Sequence, residues 1–491
     1  MTGKVMEKEH LKGKIEDFIF RKLEHNKFET FKLKPKEILT SNRFDLGLKL
    51  AYLTYKEYLP DLAEKIYHHD IRSQTLGEFK EYGNDEKNTF NAYIEHFDKT
   101  FNDIKNNGFD EKKSLLPLSK NGYILNGAHR AASAIFLGKE VACVKTELDD
   151  VSPNYQYFIE RNVPEEILDL GAINFCEHAE NIYLAFLWPS GRRHYNSTKK
   201  LFDNVVYNKN IRLNSQGGLN LLIELYKHMN WVGTSEDNFP GAHKKLLECF
   251  TDFDSFSVIL FQSESLEKVQ EIKKQVRDIN KIGFSSIHIT DTIEEVQRVA
   301  QLIFNDNGLH FLNYANPYKF KSTLDIIKRL HSNDVNSLKH MVLDGSTTLA
   351  IYGLREARDI DYLSTDSLVL SNKDIQVEPH DDQLIYHELD KNELIYNPRY
   401  HFQYLGVKFV SFDQMYIFKK NRNENKDIND CEIMKSFIEN SSFKHFLSKS
   451  KQFIFYKKIV IKSKLRTALF SLLKYTNTYD LVRNIYRKLK E

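Results

Sequence analysis

Apolar positions along this chain come in short runs, and the spacing of those runs changes several times. Within residues 1–26, Ile15, Phe18, Ile19 and Leu23 recur at helical spacing, which predicts an amphipathic N-terminal helix. Residues 28–150 open on a short strand, Phe31–Leu33, continue through polar helices and close on a strand–turn–helix–strand unit from Gly122 to Lys145. Asp149, Asp150, Ser152, Pro153 and Asn154 then supply breaker residues for a boundary.

From 155 to 330 the pattern alternates. Ile182–Trp188, Ser257–Phe261, Ser285–Thr290 and Leu309–Leu312 read as strands, with Leu219–Met229, Leu266–Ile279 and Glu294–Phe304 as the helices between them. That order predicts a doubly wound, mostly parallel α/β sheet. Residues 331–440 begin with a helix and an apolar strand, and 441–491 form a helical basic tail. The fold class so predicted is a multidomain α/β protein.

Composition leaves this picture standing. The chain has 491 residues, 41% hydrophobic and 28% charged, which is that of a globular protein. Its 13% aromatic content argues against disorder. Cys143, Cys176, Cys249 and Cys431 lie far apart with no CxxC pair, which argues against a disulfide framework or a structural zinc site and for a reducing compartment. Met1 to Lys14 is charged and lacks the apolar region of a signal peptide, and no apolar run approaches the 18 or so residues of a membrane span. A cytoplasmic location is the expectation.

Charge alters the picture in one place. The formal net charge is +2, yet residues 444–491 carry thirteen Lys/Arg against two Asp/Glu. Phe453, Ile454, Phe455, Ile459, Val460 and Ile461 lie among those bases. Two readings fit the tail equally: contact with the inner face of an anionic membrane, or an apolar face docked on the protein with its lysines solvated. The mildly acidic remainder does not suit duplex DNA.

The chemistry concentrates between His340 and Leu363. An apolar strand runs into Gly345-Ser346, a short helix follows at Thr347–Leu354, and the chain returns as the strand Asp359-Ile360-Asp361-Tyr362-Leu363. Alternation puts Asp359 and Asp361 on one face and turns Ile360 and Tyr362 to the core. Two like charges on one strand face favour a divalent cation between them, and Mg2+ (or Mn2+) suits carboxylate oxygens that leave room for phosphates. A glycine turn at a helix start suits phosphate.

Gly-Ser, twelve residues and then Asp-hydrophobic-Asp resembles the signature of the polymerase-β-like nucleotidyltransferase superfamily, over about 110 residues. The resemblance implies that Asp359 and Asp361 hold catalytic metal, that a third acid (Asp381, or Asp382 beside it) completes the set, and that Gly345 and Ser346 hold the phosphates of a nucleoside triphosphate. Lys419 and Arg422, in the helix that follows, are placed by the same resemblance to reach phosphate.

A second cluster lies at Asn126-Gly127-Ala128-His129-Arg130. A basic pair at a helix start behind a glycine is a candidate anion site. The pattern resembles the Gly-x-His-Arg turn of the ParB/sulfiredoxin superfamily, with Leu33–Ile38 resembling that fold's opening strand and turn. The resemblance implies nucleotide phosphate at Gly127, His129 and Arg130. Ala128 stands where the reductases of that group carry their nucleophilic cysteine, which argues against their reaction. In the middle segment, Arg192, Arg193 and His194 follow a buried strand, and His288 and Asp291 end another.

Together these expectations describe a metal-dependent transfer of a nucleotidyl or phosphoryl group to a small acceptor, such as a sugar or surface-glycan precursor. The alternatives are a small-molecule kinase centred on Gly127–Arg130 and a non-catalytic nucleotide sensor.

Overall fold

The computed structural model describes residues 4–81, 86–333, 338–357, 359–365, 377–437 and scattered residues between 461 and 478. Almost all of the basic tail, including its apolar run 453–460, lies outside the described residues. The described chain is a mixed α/β structure built on three small open sheets.

The first sheet contains β1 (Lys4–Glu7), β2 (Lys27–Leu33), β3 (Leu116–Leu118) and β4 (Val141–Lys145), in the order β1-β2-β4-β3. The expected N-terminal helix is therefore corrected: residues 4–33 give two antiparallel strands bracketing a helix of only four residues, Asp17–Phe20. Ile15, Ile19 and Leu23 are buried as the pattern required, but against Phe28, Leu115 and Val144. The 3.6-residue spacing was met by irregular chain covering a sheet face.

The second sheet contains β5 (Ile182–Leu187), β6 (Val205–Ile211), β7 (Phe256–Gln262) and β8 (Ile287–Ile289), in the order β6-β7-β5-β8. Every neighbouring pair is antiparallel, which overturns the doubly wound parallel expectation. The reason lies in the connections. A single helix, Leu266–Asn280, joins β7 to β8 and preserves strand direction, whereas two successive helices, Ser215–Tyr226 and Pro240–Cys249, join β6 to β7 and reverse it. Interleaving then sets opposite directions side by side. The strand expected at Leu309–Leu312 is instead part of the helix Asp306–Tyr314, because the Asn305 side chain accepts hydrogen bonds from the Asn307 and Gly308 N–H groups and caps a helix there.

The third sheet contains β9 (Met341–Leu343), β10 (Ile360–Ser364), β11 (Val377–Pro379), β12 (His401–Tyr404) and β13 (Val407–Val410), in the order β11-β10-β9-β13-β12. It is mixed: β10 runs antiparallel to β9 and parallel to β11.

One continuous hydrophobic core links elements from Ile38 to Met434. Helices Phe44–Tyr55 and Glu165–His178 cross closely within it, and a Cβ on Gly47 would lie 2.5 Å from the Gly171 carbonyl oxygen. Backbone cannot yield as a side chain can, so Gly47→Ala must push the two helices apart. The expected cost is about 1–3 kcal/mol, read as a lowered urea midpoint at unchanged slope.

Candidate functional site

β9 ends at Leu343, and the chain turns through Asp344 and then Gly345, whose φ of +59° lies in the left-handed region. Helix Ser346–Ile351 follows and the chain returns as β10. The strand–turn–helix–strand unit expected from the sequence is thus present, with Ile360 and Tyr362 buried at 1% and 3% exposure. Gly345 is required twice over. Its backbone conformation disfavours a side chain, and a Cβ there would sit 2.1 Å from Asp361 Oδ2.

The strands bring three acids to one level of the sheet. The Asp344 N–H donates to the Asp361 carbonyl oxygen at 2.8 Å, and Asp361 pairs in register with Glu378 on β11. Asp344 is fully buried, and its Oδ2 lies 2.9 Å from His380 Nδ1 and 3.1 Å from His387 Nε2. Its other oxygen, Oδ1, is buried without a hydrogen-bond partner. Burial works against the Asp344 carboxylate, but the two imidazoles outweigh it and hold its pKa far below the usual range. For His380, burial is outweighed by the hydrogen bond to Asp344 and by the charges of Asp344 and Asp361, so its pKa is raised.

Asp361 is the strained member. Burial, reinforced by Asp359 and Asp344 and opposed by His380 and Arg422, raises its pKa from 3.8 to about 6. Its carboxylate is ionised at neutral pH at a cost that a bound cation would remove.

The remaining sequence candidates separate. Asp381 does not join Asp361. It pairs with Lys391 and lines a groove of about 1470 Å³ with Asp61, Asp382 and Arg399. The residue beside it, His380, is the one that reaches the cluster. Lys419 is enclosed at 1% exposure between Asp427 at 3.2 Å and Asp430 at 2.8 Å, so it holds the fold and is out of reach of a phosphate. Arg422 is also bound to Asp427, by Nε at 2.8 Å. Ser346 is nearly buried, at 8% exposure. Sequence reasoning missed Asp344, Glu378 and His387. The available signals were an acid ending the strand before the Gly-Ser turn and an acid two residues before His380.

The second cluster forms a separate cavity of about 1240 Å³ lined by Gly127, Ala128, His129, Arg130, Lys49, Lys87 and His96 among others. Gly127 caps helix Ala128–Phe136 at φ +87°. His129 Nε2 meets the Tyr67 hydroxyl at 2.8 Å and its ring packs on Phe97 at 4.6 Å. Burial, with several nearby cations, pushes its pKa well below 6.5, so the ring is neutral. Arg130 is held by Glu16 at 2.5 Å. Beneath the cavity lies a buried charge network: Arg43 Nε donates to Asp45 at 2.8 Å, and Lys49 Nζ lies 2.6 Å from Asp70 and 3.3 Å from Asp45.

In the middle sheet Arg192 pairs with Asp252 at 2.7 Å, while His288 faces Glu295 at 3.4 Å. The two do not share a site.

Among the described residues no three His, Cys, Asp or Glu side chains stand together as a metal-binding group, and no helix is long and apolar enough to cross a membrane. Comparison of the chain with protein-family models, with curated proteins and with solved structures finds no match.

Proposed function

We propose that the β9–β10 unit is the active site of a metal-dependent nucleotidyltransferase acting on a nucleoside triphosphate and a small acceptor. The observation that carries this reading is Asp361, a carboxylate half-buried beside Asp359 and Asp344 with its pKa raised to about 6. Such a group is unfavourable by itself and fits a hard cation, because Mg2+ is commonly held by one or two carboxylates together with substrate phosphates. When bound, the ion would polarise a phosphoryl oxygen and lower the pKa of an acceptor hydroxyl.

The chain's own residues supply the rest. Asp359 and Asp361 would hold the ion. Gly345, lacking a side chain, keeps the Asp361 carboxylate within reach of the turn. His380, bound through Nδ1 to Asp344, has its pKa raised by that bond and by the charges of Asp344 and Asp361, which favours its cationic form next to Asp361. Glu378, exposed on the strand paired with β10 and in register with Asp361, would reach the ion only by a side-chain shift, since among the described residues no three such side chains already stand together there.

The cavity at Gly127–Arg130 is a second nucleotide-site candidate. A phosphate there would have to displace Glu16 from Arg130.

The test is Mg2+-dependent release of pyrophosphate from each nucleoside triphosphate by the full chain, supplied with pooled sugar and sugar-phosphate acceptors. Release that Asp359→Asn and Asp361→Asn abolish is expected. Release unaffected by either substitution would remove the assignment.

A further inference from the structure

The middle sheet carries a third cavity, of about 600 Å³, that the proposed reaction does not use. Its volume lies within the range that encloses a small organic ligand. Its walls come from helix Ser215–Tyr226, the 3-10 turn Asn230–Val232, helices Pro240–Cys249 and Leu266–Asn280, and β8.

One wall is aromatic. Tyr226 packs on Trp231 at 5.2 Å and meets the His288 ring edge-on at 4.8 Å. Trp231 and Phe284 are 47% and 72% exposed, an unusual degree of solvent contact for large apolar rings. The opposite rim is cationic. Lys273 is matched by Asp291 at 2.6 Å, and Lys245 donates to the Phe284 carbonyl oxygen at 2.8 Å. Arg277 and Lys244 enter no ion pair among the described residues. The Arg277 guanidinium lies over the Phe284 ring at 4.4 Å, and its Nε is buried without a hydrogen-bond partner.

The floor holds a loosely matched pair. His288 Nε2 and Glu295 Oε1 meet at 3.4 Å, with side chains only 10% and 11% exposed, as a long ion-pair contact that no third group among the described residues shares. Buried polar groups are normally satisfied. An arginine nitrogen with no partner, beside a buried histidine–glutamate pair that meets only at long range, describes a site that a ligand completes.

We propose that this cavity binds a small aromatic anion, its ring against Tyr226 and Trp231, its charge against Arg277 and Lys244, and a polar edge toward His288 and Glu295. Stacking on the aromatic wall and pairing with an uncompensated guanidinium are additive sources of affinity, and the Glu295 carboxylate restricts the ligand to one presenting a donor at its inner edge.

The chain contains two tryptophans, Trp231 on the cavity wall and the fully buried Trp188, which the Phe186 ring joins to His288, so dye in the cavity is within energy-transfer range of both. The full-length protein is titrated with anilinonaphthalene sulfonate and, separately, with phenylnaphthylamine, which shares the rings but lacks the charge. The sulfonate should quench tryptophan emission saturably at a single site. It should bind about tenfold more tightly than the neutral dye, and Arg277→Gln should weaken it by a similar factor. Trp231→Ala, which removes part of the aromatic wall, should weaken sulfonate binding several-fold, read from the dye's own emission. Equal affinity for the two dyes in the wild-type protein would overturn the proposal, whether or not Arg277→Gln folds. So would unchanged sulfonate affinity in Trp231→Ala.

Discussion

With divalent metal removed by chelation at pH 7.5, Asp361→Asn should unfold at a higher temperature than the wild-type protein while losing its turnover. The raised pKa means that ionised Asp361 opposes folding. The shift from 3.8 to about 6, discounted for partial solvent access, corresponds to roughly 1–2 kcal/mol. The sign follows from proton linkage. Between pH 4 and 6 the native state binds the proton that the unfolded state releases, so the wild type loses stability as pH rises through that window. The advantage of Asp361→Asn should therefore be full above pH 6 and vanish below about pH 4, where the carboxyl is neutral in both states. Activity moves the other way. Loss of a metal-holding carboxylate should lower turnover by several kcal/mol of transition-state stabilisation, on the order of a thousandfold or more. Melting curves across pH, together with the turnover assay, read both effects. An Asp361→Asn protein that is less stable than wild type at every pH would mean that this carboxylate is a structural partner.

Lys49→Met should lower stability by about 3–5 kcal/mol, among the largest effects of any single change. Lys49 is 1% exposed and is the cation that faces Asp70, which is itself fully buried and otherwise held by Gln74. Burial raises the Asp70 pKa even with the lysine in place. Removing the ammonium leaves that carboxylate uncompensated, whereas Asp45 keeps its two contacts with Arg43. Replacing both partners, as Lys49→Met with Asp70→Leu, should restore most of the loss, because an apolar pair needs no compensation. Chemical denaturation of the three variants measures this. A double variant as unstable as Lys49→Met alone would show that packing volume, and not orphaned charge, sets the cost.

Local pattern was legible wherever one element decided its own form. The predominantly apolar runs Ile182–Leu187 and Phe256–Gln262 are strands, the first buried throughout and the second buried up to Phe261. The unit from Met341 to Ser364 could be read because Gly345, the Asp-Ile-Asp alternation and the helix between them each dictate a backbone state. What could not be read depends on distant partners. The direction of β7 relative to β5 depends on how many helices cross between them. The fate of Lys419 depends on Asp427 and Asp430, which reach it from the segment that follows its helix. Asp381 and His380 are neighbours in sequence, but only His380, directly after β11, turns toward Asp344. Arg130 carried a basic signature, and its carboxylate partner Glu16 lies 114 positions away.

The central claim is that Asp359, just before β10, and Asp361 within it hold a divalent ion. Mn2+ binding to the full-length protein, followed by electron paramagnetic resonance in the presence of a non-hydrolysable nucleoside triphosphate, tests it most directly. The account predicts protein-bound Mn2+ that Asp359→Asn weakens and Asp361→Asn removes. Mn2+ bound equally by wild type and by Asp361→Asn would contradict it.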